Sequence, residues 1–134
     1  MEKLDITSFE NALNSLKEVI EVYNSDKTNL ITRDSMIQRF EYTYSIALKM
    51  IKRFFSQGAF VENVDGMTFN EMVRQANKMD LLKSNLETWT IFREKRNLTS
   101  HTYDEKVASD VAEIIPEFKD EADFLLNKLK ERLQ

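Results

Sequence analysis

The spacing of apolar residues along the chain predicts α-helices. In the N-terminal part apolar residues recur at alternating intervals of three and four, which places them on one side of a helix. They are Ile6, Phe9, Leu13, Leu16, Ile20 and Tyr23. Thr7 and Glu10 have the spacing of a capping box, so we expect a first helix of about sixteen residues that begins at Thr7. The polar stretch 24–29 should end this helix.

A second helix is predicted from about Arg33 to Gln57, with Gly58 as its C-terminal stop. Its apolar residues cover more than one side, which is typical of a central or interfacial helix. A polar seam also runs along it, formed by Gln38, Glu41, Tyr42, Ser45 and Lys49. This polar seam is either a solvated face, the lining of a pocket or a dimer contact.

Three further helices follow. Capping-box patterns at 68–71 and 84–87 begin a short third helix and a fourth helix. A last helix begins after Asp104, and Pro116 should kink or break it because proline lacks the amide donor that a helix needs. The pattern predicts an all-α, antiparallel up-and-down bundle of about five helices. We expect residues 1–134 to form a single domain.

The composition excludes several other fold classes and kinds of site. Two glycines and one proline are too few for an all-β fold, which needs a turn residue every ~8–12 positions. The absence of cysteine excludes disulfides and thiolate sites, and a single histidine, His101, excludes a multi-histidine zinc cluster. We therefore expect no cofactor and no metal. The chain shows no signal peptide and no apolar run of membrane-spanning length, so it should be soluble and cytoplasmic.

The net charge of −4 disfavours a general nucleic-acid coat, because such binding depends on neutralisation of phosphates by Lys and Arg. A local basic site is present at the end of the predicted fourth helix. Four polar side chains share one face there at 100° per residue: Arg93, Arg96, Asn97 and Ser100. His101 joins this face if the helix persists.

Arginine and histidine on one face can bind a phosphodiester and move a proton. Tyr103 adds a hydroxyl two residues beyond His101. A lone histidine beside a helix end is also a common capping or hydrogen-bonding residue, so the pattern alone leaves both interpretations open.

The sequence Arg96-Asn97-x-x-x-His101-x-Tyr103 resembles the signature of the HEPN superfamily, and its His-x-Tyr extension resembles the HepT-type branch. A second block at 33–41, which reads Arg-Asp-Ser-Met-Ile-Gln-Arg-Phe-Glu, lies upstream. Together the two blocks resemble the nucleotidyltransferase substrate-binding protein family. The resemblance extends from the first predicted helix to Leu133.

This resemblance implies a homodimeric helical bundle with a separate partner, a minimal nucleotidyltransferase, for which the helical chain binds substrate. In HepT-like relatives the helical chain is a toxin and a metal-independent endoribonuclease. The partner is the antitoxin, which transfers AMP to the motif tyrosine. Carried over to this chain, Arg96 and His101 are the ribonuclease pair, Asn97 supports them and Tyr103 is the modification target.

A metal-independent ribonuclease uses the 2′-hydroxyl of its RNA as the nucleophile and needs a proton shuttle and a cation on the phosphate. One histidine cannot easily serve as both acid and base, and a homodimer that joins two motifs removes this difficulty. RNA contact should be confined to a basic cleft that holds Arg93, Lys95 and Arg96, with Asn97 and Ser100 as further substrate-binding residues. Three hypotheses remain: a substrate-presenting subunit, a ribonuclease toxin and a purely structural dimeric bundle.

Overall fold

The computed structural model describes residues 4–58 and 61–133, and this part of the chain contains helices and turns without a β-strand. The α-helices are α1 (Thr7–Ser25), α2 (Leu30–Gly58), α3 (Phe69–Lys78), α4 (Leu86–Asn97) and α5 (Glu105–Arg132). Short 3₁₀ turns lie at Val64–Gly66 and Thr99–His101. The predicted all-α bundle of about five helices is confirmed. None of the helices in the described ranges combines the length and apolar character that crossing a membrane requires.

The predicted capping box of α3 is present. The Glu71 amide donates to the Thr68 hydroxyl at 3.1 Å, and the Thr68 amide donates to the Glu71 carboxylate at 3.3 Å. The capping box predicted at Thr7 is wrong, because Thr7 is already the first residue of α1 and its amide donates to the Asp5 carboxylate at 2.9 Å. The two patterns look alike in sequence, and a competing acceptor two residues upstream changes the outcome for Thr7.

The predicted starts of α2 and α4 also shift. The helix α2 begins at Leu30 because the Asn29 side chain accepts a hydrogen bond from the Thr32 amide at 3.1 Å. At α4, Asn85 and not Ser84 caps the helix, and its side chain accepts from the Thr88 amide at 3.2 Å. The polar residues that suggested a loop before Arg33 therefore include the cap of a longer helix.

The carboxylate of Glu121 on α5 binds the segment just before α4. Its two oxygens accept hydrogen bonds from the Lys83 and Ser84 amides, each at 2.7 Å. Glu121 is itself only 1% exposed. A buried carboxylate with both oxygens paired anchors the segment before α4 to α5.

The helix α5 continues through Pro116, so of the two predicted outcomes the break is wrong and a kink stays a prediction. Ile115 and Phe118 lie on either side of the proline and are fully buried. Because packing holds both halves of α5 against the core, the loss of one backbone hydrogen bond at Pro116 does not end the helix.

An aromatic cluster from α2, α4 and α5 occupies the core: Phe40, Tyr44, Trp89, Phe92 and Phe118. Edge-to-face contacts join Trp89 to Phe92 at 5.3 Å and Phe92 to Phe118 at 5.4 Å between ring centroids. Phe40 meets Phe118 at 5.1 Å in the same geometry. Such pairs favour one relative arrangement of the helices that carry them. The cluster thereby fixes the orientation of α4, whose C-terminal end carries the candidate site.

Candidate functional site

The candidate site lies where α4 ends and the chain turns into α5. The α-helix stops at Asn97, and the His101 amide donates to the Leu98 carbonyl at 2.9 Å in a 3₁₀ turn. The Thr99 hydroxyl donates to the Arg96 carbonyl at 2.8 Å, which satisfies one of the carbonyls left free at the helix end. Ser100 and His101 therefore lie beyond α4, and the α-helical geometry that placed them on one face with Arg93 and Arg96 does not extend to them.

The chain re-enters a helix at Asp104. The Asp104 carboxylate caps α5 by accepting hydrogen bonds from the Lys106 and Val107 amides at 3.0 and 3.3 Å, and the helix begins after Asp104 as predicted. The segment between α4 and α5 is thus short and is held at both ends by hydrogen bonds. These bonds fix the backbone that carries the motif side chains.

His101 and Tyr103 are both exposed on this segment. Their ring centroids are 6.1 Å apart with an interplanar angle of 71°, and Tyr103 is 86% exposed. Asn97 and Ser100 are exposed nearby. These four side chains are therefore open to a large ligand, and the Tyr103 hydroxyl is accessible to a modifying enzyme.

Arg96 contacts a different part of the molecule. Its guanidinium lies 3.6 Å from the Glu41 carboxylate of α2, and the two side chains are 35% and 41% exposed. Arg93, one turn earlier, places its guanidinium 4.5 Å from the centre of the Phe69 ring on α3. Both arginines thus lie on the side of α4 that faces α2 and α3.

Lys95 lies on the side of α4 that faces α5. It lines a surface depression with acidic residues of α5, namely Asp110, Glu113 and Glu117. The predicted cleft that unites Arg93, Lys95 and Arg96 is therefore wrong, because adjacent residues of a helix project in different directions. These three carboxylates of α5 thus face a lysine of their own chain.

Tyr44 lies beneath the arginines in the aromatic cluster. Its hydroxyl is buried and has no hydrogen-bond partner in the described part of the protein. Burial raises the pKa of Tyr44 to about 12, while the positive charges of Arg93 and Arg96 act to lower this pKa. Tyr44 therefore stays neutral near pH 7. The apolar periodicity of α2 placed this residue in the core and gave no signal that its hydroxyl lacks a partner.

Arg33 connects the beginnings of α2 and α5. Its guanidinium donates to the Glu105 carboxylate at 2.6 Å, and the Arg33 side chain is only 7% exposed. The hydrogen bond from Arg33 lowers the pKa of Glu105 and raises that of Arg33. Because Glu105 follows the cap residue Asp104, this pair holds the C-terminal end of the motif segment. In the sequence Arg33 marks the predicted start of the second helix and the upstream block, and no local pattern indicates that it pairs with Glu105.

The residues of the polar seam of α2 lie in different environments. Glu41 contacts Arg96, and the Tyr42 hydroxyl is hydrogen-bonded to the Ser15 hydroxyl of α1. Lys49 lines a depression at the start of α3, and Gln38 is exposed. Two residues of the polar seam thus link α2 to neighbouring helices, Glu41 to α4 and Tyr42 to α1. That a second chain covers it stays a prediction.

Comparison with known proteins agrees with this fold. The family described as "Nucleotidyltransferase substrate binding protein like" matches residues 4–131. A curated relative, "Probable ribonuclease HepT" of Haemophilus influenzae, is 33% identical, and the alignment covers 99% of this chain and 97% of the relative. The chain therefore belongs to the nucleotidyltransferase substrate-binding protein-like family.

Two solved structures are similar. One is a Haemophilus influenzae protein described as showing the fold of a substrate-binding domain of a nucleotidyltransferase, with a TM-score of 0.85 and 30% identity. The match covers 94% of this chain and 99% of that one. The other is a Thermus thermophilus protein with a TM-score of 0.77 and 27% identity, over 90% and 98% of the two chains.

Proposed function

We propose that this chain is the helical partner subunit of a minimal nucleotidyltransferase and the toxin half of a toxin–antitoxin pair, with metal-independent endoribonuclease activity. The observation that carries this proposal is the sequence Arg96…His101-x-Tyr103, which begins in the last turn of α4 and exposes His101 and Tyr103 on the turn before α5. Support comes from family membership and from the 33% identity to a protein named as a probable ribonuclease. We expect residues 1–134 to act as a single domain.

The proposed reaction uses the RNA as its own nucleophile. The 2′-oxygen forms a bond to the adjacent phosphorus, and the bond from phosphorus to the 5′-oxygen breaks, which leaves a 2′,3′-cyclic phosphate and a 5′-hydroxyl. Arg96 stabilises the charge on the phosphate, and His101 transfers a proton near neutral pH. Arg93, Asn97 and Ser100 are the proposed substrate-binding residues around this pair.

The first experiment compares RNA cleavage by the wild-type chain and His101→Ala. Because the His101 side chain is exposed, we expect the variant to keep the wild-type melting temperature and to lose at least ~100-fold in rate. Asn127→Ala, an exposed substitution on α5, is the matched control and should cleave like wild type. An inert wild type together with a lower melting temperature of His101→Ala would favour the purely structural role of this histidine.

Tyr103 is the proposed site of silencing by the partner. Its side chain is 86% exposed and its ring lies 6.1 Å from that of His101, so an attached AMP would place bulk and negative charge beside the proton-transfer group. Mass spectrometry after incubation with the partner and ATP should find AMP on Tyr103 and none on Tyr103→Phe. Modification at another residue, or none at all, would contradict this part of the proposal.

A homodimer is proposed because each chain supplies one histidine. Analytical ultracentrifugation at micromolar concentration should give twice the mass of the chain, and a monomer would contradict this expectation. Substrate presentation is the second candidate function, favoured by the similar structure described as a substrate-binding domain. A stable complex with the nucleotidyltransferase, in the absence of any RNA cleavage by the free chain, would leave this second function standing.

A further inference from the structure

A groove lies between α2 and the start of α3, with a volume of about 210 Å³, and we call it the α2–α3 groove. Four apolar side chains and two exposed lysines line it: Leu48, Met67, Phe69, Met72, Lys49 and Lys52. We propose that the α2–α3 groove holds an unpaired base of single-stranded RNA while the two lysines bind adjacent phosphates. This inference rests on the proposed ribonuclease function and extends its substrate site beyond the motif.

The α2–α3 groove is continuous with the arginines of α4. Phe69 lines the groove, and the centre of its ring lies 4.5 Å from the Arg93 guanidinium. Arg93 and Arg96 lie about one turn apart on the side of α4 that faces α2 and α3. A single strand with one phosphate at Arg96 can therefore pass Arg93 and place a nearby nucleotide in the groove.

The charge of the α2–α3 groove suits a polyanion. None of its described lining residues is acidic, and neither Lys49 nor Lys52 forms an ion pair within residues 4–58 and 61–133. Another surface depression, between α1 and α5, combines Lys27 with the carboxylate of Glu113. A lysine without a carboxylate partner can bind a phosphate without losing an ion pair, so the α2–α3 groove favours RNA although the chain carries a net charge of −4.

The apolar part of the groove suits the flat face of a nucleobase. Bases of single strands stack on aromatic side chains, and this contact tolerates any sequence because every base has a π-face. Phe69 supplies an aromatic ring, while the thioethers of Met67 and Met72 adapt to aromatic ligands. The bases of a duplex are stacked on one another, so the groove should select unpaired RNA.

An apolar groove can also receive a side chain of a protein partner. The charges around this groove favour RNA instead, because Arg93 joins the two lysines as a third cation without an ion pair in the described residues. Three cations beside one apolar surface match a ligand that alternates phosphates with planar bases.

The first arm of the test measures binding of a single-stranded 2′-O-methyl oligoribonucleotide to the full chain. This oligonucleotide lacks the 2′-hydroxyl nucleophile, so it binds without being cleaved. The double variant Lys49→Gln/Lys52→Gln should bind at least ~tenfold more weakly than wild type. The slope of log K against log salt should become shallower by about 1.4, since each phosphate contact with a single strand contributes about 0.7.

The matched control for this arm is the double variant Lys78→Gln/Lys83→Gln. Both lysines are exposed near the other end of α3, and the substitutions change the net charge by the same amount. The control should bind like wild type. Equal losses in the two double variants would reduce the effect to net charge and overturn the proposal, as would a wild type that does not bind the oligonucleotide.

The second arm locates the base. Phe69→Leu keeps an apolar side chain but removes the ring, and it should raise the Kd at least ~fivefold with a wild-type melting temperature. An oligonucleotide that carries 5-iodouridine should crosslink under ultraviolet light to Phe69 or to a methionine of the groove, which mass spectrometry identifies. Crosslinks confined to other parts of the chain would overturn the proposal and leave the groove to a protein partner.

Cleavage of ordinary RNA separates this inference from the proposed function. The Lys49→Gln/Lys52→Gln variant should show a KM raised at least ~tenfold and a kcat within about twofold of wild type, because the lysines contact RNA away from the reacting phosphate. A wild-type KM in this variant would overturn the role of the groove and leave the nuclease intact. Binding through the groove by a wild type that cleaves no RNA would support the groove and contradict the proposed function.

Discussion

Two arginine–carboxylate pairs connect α2 to the segment around the motif, and they differ in construction. Arg33 is 7% exposed at its side chain and donates to Glu105 at 2.6 Å. Arg96 is 35% exposed and lies 3.6 Å from Glu41. The first pair is short and holds its arginine inside the protein. The second is longer and leaves both groups accessible to solvent.

We interpret the charge of Arg33 as structural and the charge of Arg96 as available to a ligand. A buried guanidinium must be paired, since an unpaired buried charge carries a large desolvation cost. An exposed guanidinium can exchange its partner for a phosphate at little cost. We therefore expect changes at Arg33 to act on stability and changes at Arg96 to act on activity.

Glu121 is 1% exposed and is therefore buried more deeply than the arginine of either pair. Its loss should have the largest effect on stability. Glu121→Ala leaves the Lys83 and Ser84 amides without their 2.7 Å acceptor, so the free energy of unfolding should fall by about 3 kcal/mol. Urea denaturation measures this change, with Asp120→Ala, an exposed neighbour, as control. A change for Glu121→Ala as small as that of the control would show that the segment before α4 does not depend on this anchor.

Arg33→Ala should come next, at about 2 kcal/mol, because it removes a charge-assisted hydrogen bond together with buried side-chain packing. The effect should also depend on pH. Arg33 lowers the pKa of Glu105 below its ordinary value of 4.5, so the stabilisation is present above that pH and is lost as the pH falls through the folded-state pKa. Melting curves should show a constant gap between wild type and variant from pH 7 to about 5, and a narrower gap below. A gap that widens in acid would contradict the assignment.

Tyr44→Phe tests the core beneath the arginines. Because the Tyr44 hydroxyl is buried without a partner in the described residues, its removal should leave stability unchanged or raise it by up to about 1 kcal/mol. Denaturant midpoints measure the change, and Phe40→Leu in the same aromatic cluster should destabilise the protein. A clear loss of stability in Tyr44→Phe would indicate that the hydroxyl has a hydrogen-bond partner in solution.

Glu41→Gln should have the smallest effect on stability, within about 0.5 kcal/mol of wild type, because the ion pair that it removes is open to solvent. Chemical denaturation of the two proteins in parallel checks this expectation. A loss comparable to that of Arg33→Ala would remove the distinction between the two pairs.

The helices were predictable from the sequence because apolar periodicity depends on neighbours three and four residues away. Cap residues were harder to predict. Thr68 and Ser84 both begin a capping-box pattern. The Ser84 amide, which would donate to Glu87 in a capping box, donates instead to Glu121, far along the chain, and Asn85 caps α4. The outcome depends on a tertiary contact that local spacing does not contain.

The candidate site shows the same limit. The motif residues from Arg96 to Tyr103 are close in sequence, so their proximity could be predicted, although the end of α4 at Asn97 changes their relative directions. The contact of Arg96 with Glu41 and the separation of Lys95 from Arg93 depend on the packing of α4 between α2 and α5. These contacts could not be predicted from local sequence because they form only when the helices pack together.

The RNA cleavage rates of Arg96→Ala and Arg33→Ala, each corrected for the folded fraction, separate the two arginines. We expect a loss of at least ~100-fold for Arg96→Ala with a wild-type melting temperature. For Arg33→Ala we expect a lower melting temperature and a corrected rate within about threefold of wild type. A wild type without cleavage, or an Arg96→Ala variant that cleaves at the wild-type rate, would show that Arg96 has no catalytic role.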